Sequence, residues 1–238
     1  MSFLRPVSHL SLAGAPPVEV TLRRSARARR LSLRISRIDG AVTLTLPKRV
    51  PLREAQRFID EKAEWIRANL AQQPVQVLVG PGAMLPVEGV MRRIEAGGKR
   101  VQMQGETLRV PEGSAAQMAA RLAGFCKARA RDRLAEACDH YAAALGRPYG
   151  RLTLRDTRSR WGSCSSAGNL MFSWRLILAP PQVLDYVAAH EVAHLAQMNH
   201  SAAFWAEVRA LMPDYEAPRR WLRDEGNVLH SYRFEGAD

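Results

Sequence analysis

The run His190-Glu191-Val192-Ala193-His194, followed six residues later by His200, decides how the rest of the chain is read. Residues four apart in a helix leave its axis on nearly the same side, one turn apart. The imidazoles of His190 and His194 can therefore reach one Zn²⁺ at about 2.0–2.1 Å. Glu191 directly follows the first ring and can stand beside the ion's open position, where water binds. A carboxylate there serves as general base, the H-E-x-x-H arrangement of zinc peptidases. Upstream, Val183, Leu184, Val187, Ala188 and Ala189 read as a buried segment. Polar groups at the end of such a segment need partners. His200, ten residues after His190, is the candidate third ligand. Asn199 tolerates the left-handed conformation that ends helices, so the chain is expected to turn there and point His200 back.

A chain of 238 residues, 47% hydrophobic and 24% charged, is long enough for one large domain or two small ones. No apolar run approaches the ~18 residues of a membrane helix, so no membrane partner is expected. Met1 to Pro17 carry one Arg and no apolar core with a small-residue cleavage site, so no secretory signal is expected. The three Cys lack ligand-like spacing, and Cys126 and Cys138 fall in a helical pattern as buried thiols. These features place the chain in the cytoplasm.

The net charge of +12 is uneven: residues 1–50 hold 10 Lys+Arg against 2 Asp+Glu, and residues 201–238 hold 5 against 7. A basic first module can bind nucleic acid, or simply present a solvated strand face. Aromatics do not interleave its arginines, so no base-stacking platform is visible.

Residues 1–17 lack periodicity and read as a loose lead-in. Apolar and polar residues alternate over Val18–Leu22, Leu31–Ile35 and Val42–Leu46, with a hairpin signal at Asp39-Gly40. Leu52 to Leu70 then form one amphipathic helix closed by Pro74. Glycines punctuate short apolar pieces from Val75 to Val110, which reads as a run of antiparallel strands. Ser114 and Gly146 bound a long helix that carries a solitary His140. Arg151–Leu154 and Leu170–Leu178 read as a hairpin-like strand pair on which the metal helix, started by Pro180-Pro181, can pack. An edge strand there could hold an extended peptide. Ser201 caps a helix to about Leu211, and a short one runs near Ala217–Glu225. The polar tail from Asn227 is expected to be mobile. The fold class is α+β, with a β-rich module over 1–112 and a helical domain with a small antiparallel sheet over 113–238.

The run Arg160-Trp161-Gly162-Ser163-Cys164-Ser165, then Asn169–Trp174, Pro180, Asp185-Tyr186-Val187 and His190-Glu191-x-x-His194-Leu195, resembles the YgjP-like zinc metallopeptidases. Asn199-His200-Ser201-x-x-Phe204-Trp205 agrees with that family's third-ligand segment, and Phe58-Ile59 with Lys62-x-x-Trp65-Ile66 resembles its upstream region. The resemblance implies a zincin-like catalytic domain behind a β-rich part, related to the SprT-like and WLM peptidases. It implies one Zn²⁺ held by His190, His194 and His200, with Glu191 as base and a peptide or protein as substrate. Metzincins share the ligand spacing but place Gly where this chain has Gln197, so the likeness does not extend to them.

Peptide hydrolysis with zinc-activated water is the function this predicts. Tyr215, Arg160 and His230 are candidates for a donor to the oxyanion or for a structural role, and Trp161 and Cys164 have the same standing. Cys164 as a fourth ligand would close the site and make the metal structural. Two alternatives are a nucleotide phosphoanhydride hydrolase, with Arg155, Arg158 and Arg160 clamping phosphates, and a DNA-associated module with a structural zinc.

Overall fold

Alternating side chains in the first part of the chain bury one face of a four-stranded sheet. A computed structural model describes residues 8–36 and 38–234. Its contacts divide the chain into two units, through Val75 and from Gln76. In the first, β1 (Ser8–Leu12), β2 (Val18–Ser25), β3 (Ser32–Ile35) and β4 (Val42–Pro47) lie in the order β1-β2-β4-β3. The hairpin around Asp39-Gly40 pairs Ile35 with Val42, and β2 runs parallel to β4. Leu12, Val20, Leu22, Val42, Leu44 and Leu46 bury against Ala55, Ile59 and Ile66. Those three sit on α1 (Leu52–Glu61) and α2 (Ala63–Ala71). The single helix expected over 52–70 is therefore two. The ladder tightens at Lys62, whose N–H is shared between the carbonyls of Phe58 and Ile59, and its backbone leaves the helical region (φ −100°, ψ 10°).

Part of the expected loose lead-in is ordered, because β1 pairs antiparallel with β2 and buries Leu12. Arg67 also donates to the carbonyls of Ala13 and Pro16. Residues 1–7 of that lead-in lie outside the described residues.

The second unit opens with β5 (Val77–Leu78), β6 (Met84–Val87), β7 (Val90–Ala96), β8 (Gln102–Gln104) and β9 (Thr107–Val110). There follow α3 (Ala115–Leu145), β10 (Leu152–Arg155), β11 (Gly162–Cys164), β12 (Leu170–Ser173) and a 3-10 helix (Trp174–Leu178). The chain ends in α4 (Pro181–Ala193), α5 (Ala202–Leu211), α6 (Glu216–Asp224), a second 3-10 helix (Gly226–His230) and β13 (Tyr232–Arg233). The boundary drawn at 112/113 moves to 75/76. Val79, Leu85, Val87, Ile94, Leu108 and Val110 share one core with Met118 and Leu122 of α3, so these strands belong with the helices.

The strands are not all antiparallel. One sheet has the order β6-β7-β9-β8, with β7 parallel to β9, and β5 pairs instead with β13. The sheet beside the later helices has the order β10-β12-β11, with β10 parallel to β12 and β11 antiparallel. The expected strand over 170–178 stops at Ser173 and turns into the 3-10 helix. The α+β class holds. α3 begins in a capping box between Ser114 and Gln117 and ends at left-handed Gly146 (φ 71°).

The tail expected to be mobile from Asn227 is built into the core through Leu229, His230 and Tyr232. Val77 N–H donates to Ser231 O at 2.9 Å, and Val79 N–H to Arg233 O at 2.9 Å. Arg175 clasps the same segment: it donates to the carbonyls of Leu229 and Tyr232 and pairs with both carboxylate oxygens of Asp156 at 2.7 and 3.0 Å. Residues 235–238 of that tail lie outside the described residues.

The tip of the β6–β7 hairpin fixes where α4 begins. Glu88 (φ 52°) and Gly89 (φ 73°) make the turn, and Glu88 N–H donates to Ile177 O at 2.7 Å. Its carboxylate meets Arg129 at 2.8 Å and Arg133 at 3.4 Å on α3. A Cβ at Gly89 would lie 2.9 Å from Pro180 Cα, and the positive φ strains any side chain there. Gly89→Ala should therefore lower stability by about 2 kcal/mol or more, read as a shifted denaturant midpoint.

Candidate metal centre and its carboxylate

Helix α4 is wrapped in apolar contacts until its last turn. Val183, Leu184, Val187, Ala188, Ala189, Val192 and Ala193 are all buried, a pattern belonging to a helix through a core rather than along a surface. Its final turn delivers His190, Glu191 and His194. The backbone then turns tightly, with Leu195 N–H donating to Val192 O and Ala196 N–H to Ala193 O. Asn199 was expected to reverse the chain in the left-handed region. Among the described residues Glu88 alone of the non-glycines has positive φ, so Asn199 does not. The reversal uses its side chain: Ser201 N–H donates to Asn199 Oδ1 at 3.2 Å, and Ser201 Oγ accepts from Phe204 N–H to start α5.

The reversal brings His200 back. The three imidazole centroids are 4.9–5.0 Å apart in every pairing, and His200 Nε2 lies 3.1 Å from His190 Nε2. Ligand atoms of His190, His194 and His200 all fall within 4.8 Å of one another. Two nitrogens bound tetrahedrally at 2.0–2.1 Å would stand about 3.3 Å apart, so the separation suits a shared ion. The Nδ1 of His194 is 2.9 Å from Gln197 O, and only a protonated Nδ1 can bond a carbonyl. That leaves its Nε2 lone pair for a metal. Burial, then the neighbouring rings, hold His190 down at about 3, and burial lowers His194 as well. Neutral imidazoles are the ligating form. Phe204 floors the cluster, its ring 4.5, 4.9 and 4.8 Å from those of His194, His190 and His200. The donor set fits one divalent ion.

Glu191 lies in a slot beside β11. It is 5% exposed, and burial pushes its carboxyl up to about 7, opposed by the Arg160 charge and by the backbone N–H of Cys164, which donates to it. The slot exists because residue 162 is glycine. A Cβ there would stand 2.5 Å from Glu191 Oε1 and 2.6 Å from its Cγ. Glycine inside a strand marks a close approach, and that is the signal by which Gly162 was legible and passed over.

The other named residues fall as follows. Tyr215 is buried and stacks between Trp205 (5.6 Å) and Tyr186 (6.4 Å). His230 is buried, stacked 4.9 Å from Trp161, and burial lowers it to about 4. Cys164 is a free thiol donating to Ser165 O, and among the described residues it is not part of the imidazole group. Arg155, Arg158 and Arg160 are exposed. Their charges fall on different groups: Arg158 acts on His230 and Arg160 on Glu191. His140 stacks edge-on with Tyr141 and borders a cavity of about 370 Å³ with Arg133, Glu136 and Asp185.

Three imidazoles and a buried carboxylate carried by one helix and the turn after it form a centre suited to metal-dependent hydrolysis. A family model described as YgjP-like, metallopeptidase domain, matches residues 29–225, most of the chain. The chain belongs to the YgjP-like metallopeptidase family, whose activity is metal-dependent peptide hydrolysis. Among solved structures, the metallopeptidase zymogen of Pyrococcus abyssi abylysin is similar over 39% of this chain and 95% of its own, at 20% identity and a TM-score of 0.36. Among curated proteins, none matches the chain. Among the described residues no helix is long and apolar enough to cross a membrane.

Two outcomes follow from this geometry. Gly162→Ala should displace the Glu191 carboxylate and destabilise the protein by about 2 kcal/mol, a loss that disappears in a Glu191→Ala background because the slot is then empty. For His230, the folded value lies below the ordinary 6.5, so its contribution to stability is present above pH 6.5 and lost as pH falls toward 4. The stability gap between the natural chain and His230→Gln should accordingly shrink by up to ~3 kcal/mol between pH 7.5 and 4.5, measured by denaturant unfolding.

Proposed function

We propose that the chain is a zinc-dependent peptidase in which His190, His194 and His200 hold one Zn²⁺ and Glu191 is the general base. The convergence of the three imidazoles beside a buried carboxylate carries this reading. When bound, the ion supplies Lewis-acid polarisation of a carbonyl and lowers the pKa of a water. Glu191 takes a proton at a carboxylate oxygen and returns it to the leaving amine. A carboxyl raised to about 7 is suited to both transfers near neutral pH. The Cys164 N–H steadies the carboxylate, and Gly162 leaves it room. Arg160 bears on the same carboxylate electrostatically.

An extended substrate fits beside β11, the edge strand of its sheet. Ser173 N–H donates to Trp161 O and Ser165 N–H to Asn169 O, so by alternation the polar groups of Gly162 and the carbonyl of Cys164 face away from β12. Those groups are free to pair with a peptide backbone that passes in front of the imidazoles. A nucleotide offers no such ladder.

Metal analysis on four variants tests the assignment. His190→Ala, His194→Ala and His200→Ala should each lose zinc. Glu191→Gln should keep it while hydrolysis of an unfolded protein falls by about 10²-fold or more. Retention of zinc by all three His variants, or full activity in Glu191→Gln, would overturn the reading.

A further inference from the structure

Arg219 is an arginine of the second unit whose placement the hydrolytic chemistry does not explain. Its guanidinium carbon lies 4.2 Å from the centre of the Trp205 ring, and that ring lies 6.0 Å from His200 and 5.9 Å from His190. Two other arginines of α5 and α6 are neutralised: Arg209 pairs with Glu216 and Arg223 with Asp224. Among the described residues Arg219 lies within ion-pair distance of no carboxylate. It is exposed.

A cation beside the imidazoles is costly for a site that takes up another cation. A carboxylate arriving with the substrate offsets that cost. Stacking on Trp205 restricts the guanidinium to one plane while leaving its N–H donors open to solvent, the state in which arginine recognises a carboxylate by two parallel hydrogen bonds. Arg160, two residues before the Gly162 that packs against Glu191, adds a second exposed positive charge to the site.

We propose that Arg219, laid on Trp205 beside the imidazole cluster, forms a carboxylate-binding subsite, so that the preferred substrates are peptides with an acidic residue near the scissile bond. This rests on the peptidase reading for what happens after binding, but the subsite itself is a statement about affinity. Zinc-loaded Glu191→Gln protein, which binds without turnover, is the reagent. Fluorescence anisotropy on labelled extended peptides differing only in Glu or Lys at a single position, scanned along the peptide, gives the affinities.

At one position the Glu peptide should bind about tenfold more tightly than its Lys counterpart, and added salt should shrink the difference. Arg219→Glu should abolish or invert the ranking. Arg219→Lys should keep part of it, because the charge stays and the planar fork is lost. Arg223→Glu changes net charge equally on the same helix and should leave the ranking intact. Equal affinities at every position, or a preference unchanged in Arg219→Glu, overturns the proposal, because acidic peptides would then be attracted by the metal or by net charge alone. A preference that depends on Arg219 without any cleavage by the natural protein would leave the subsite standing and remove the peptidase reading.

Discussion

The contact between the Glu191 carboxylate and the hydrogen-sized face of Gly162 governs the rest of the site. A carboxyl group packed this closely against backbone loses most of its water, and its ionised form is correspondingly expensive. The cost is limited because one N–H of the adjacent strand points at it and a guanidinium acts from the rim. The strand must therefore run past the last turn of α4 at fixed distance and register. β11 achieves this through its pairing with β12, and β12 continues directly into the 3-10 helix that leads to α4. Helix, edge strand and the turn between them form one short loop of covalent and hydrogen-bonded connections.

The imidazole cluster obeys a second constraint, the floor beneath it. Phe204 touches all three rings at comparable distance, so it sets their tilt as a group. It is also the residue whose N–H is capped by Ser201, directly after His200. Capping the start of α5 and flooring the ring cluster are thus one event. Trp205, Tyr215 and Tyr186 continue the aromatic layer from this floor, and Tyr186 brings it back against His190.

What could be read from the sequence was whatever is encoded by short spacing. The i, i+4 histidines, the Ser114 and Ser201 caps, Gly146 and the Asp39-Gly40 hairpin all concern residues within one or two turns of each other, and the structure has them where expected. What escaped depends on distant partners. Alternation shows that β7 and β9 are strands but carries no information about their direction relative to each other, and they prove parallel. The unit boundary was misplaced because a change from strands to helices looks like a domain border even when both sides fill one core. The tail after Asn227 looked polar, yet its few apolar residues and the carbonyls taken up by Arg175 hold it in place. In the site, the three imidazoles were legible from spacing, whereas the slot for Glu191 was not, since its wall is the absence of a side chain nearly thirty residues upstream.

The parallel pairing of β5 with β13 joins the beginning of the second unit to its end. Two strands that run side by side in the same direction put Val77 and Arg233 at opposite ends of a short ladder, a few residues' reach from each other. Through that ladder the described part of the unit closes on itself. A short linker could complete the circle, and the chain could be opened instead at the Gly97-Gly98 turn without cutting through the helices that carry the imidazoles. The order in which its elements are synthesised is then separable from the arrangement they reach.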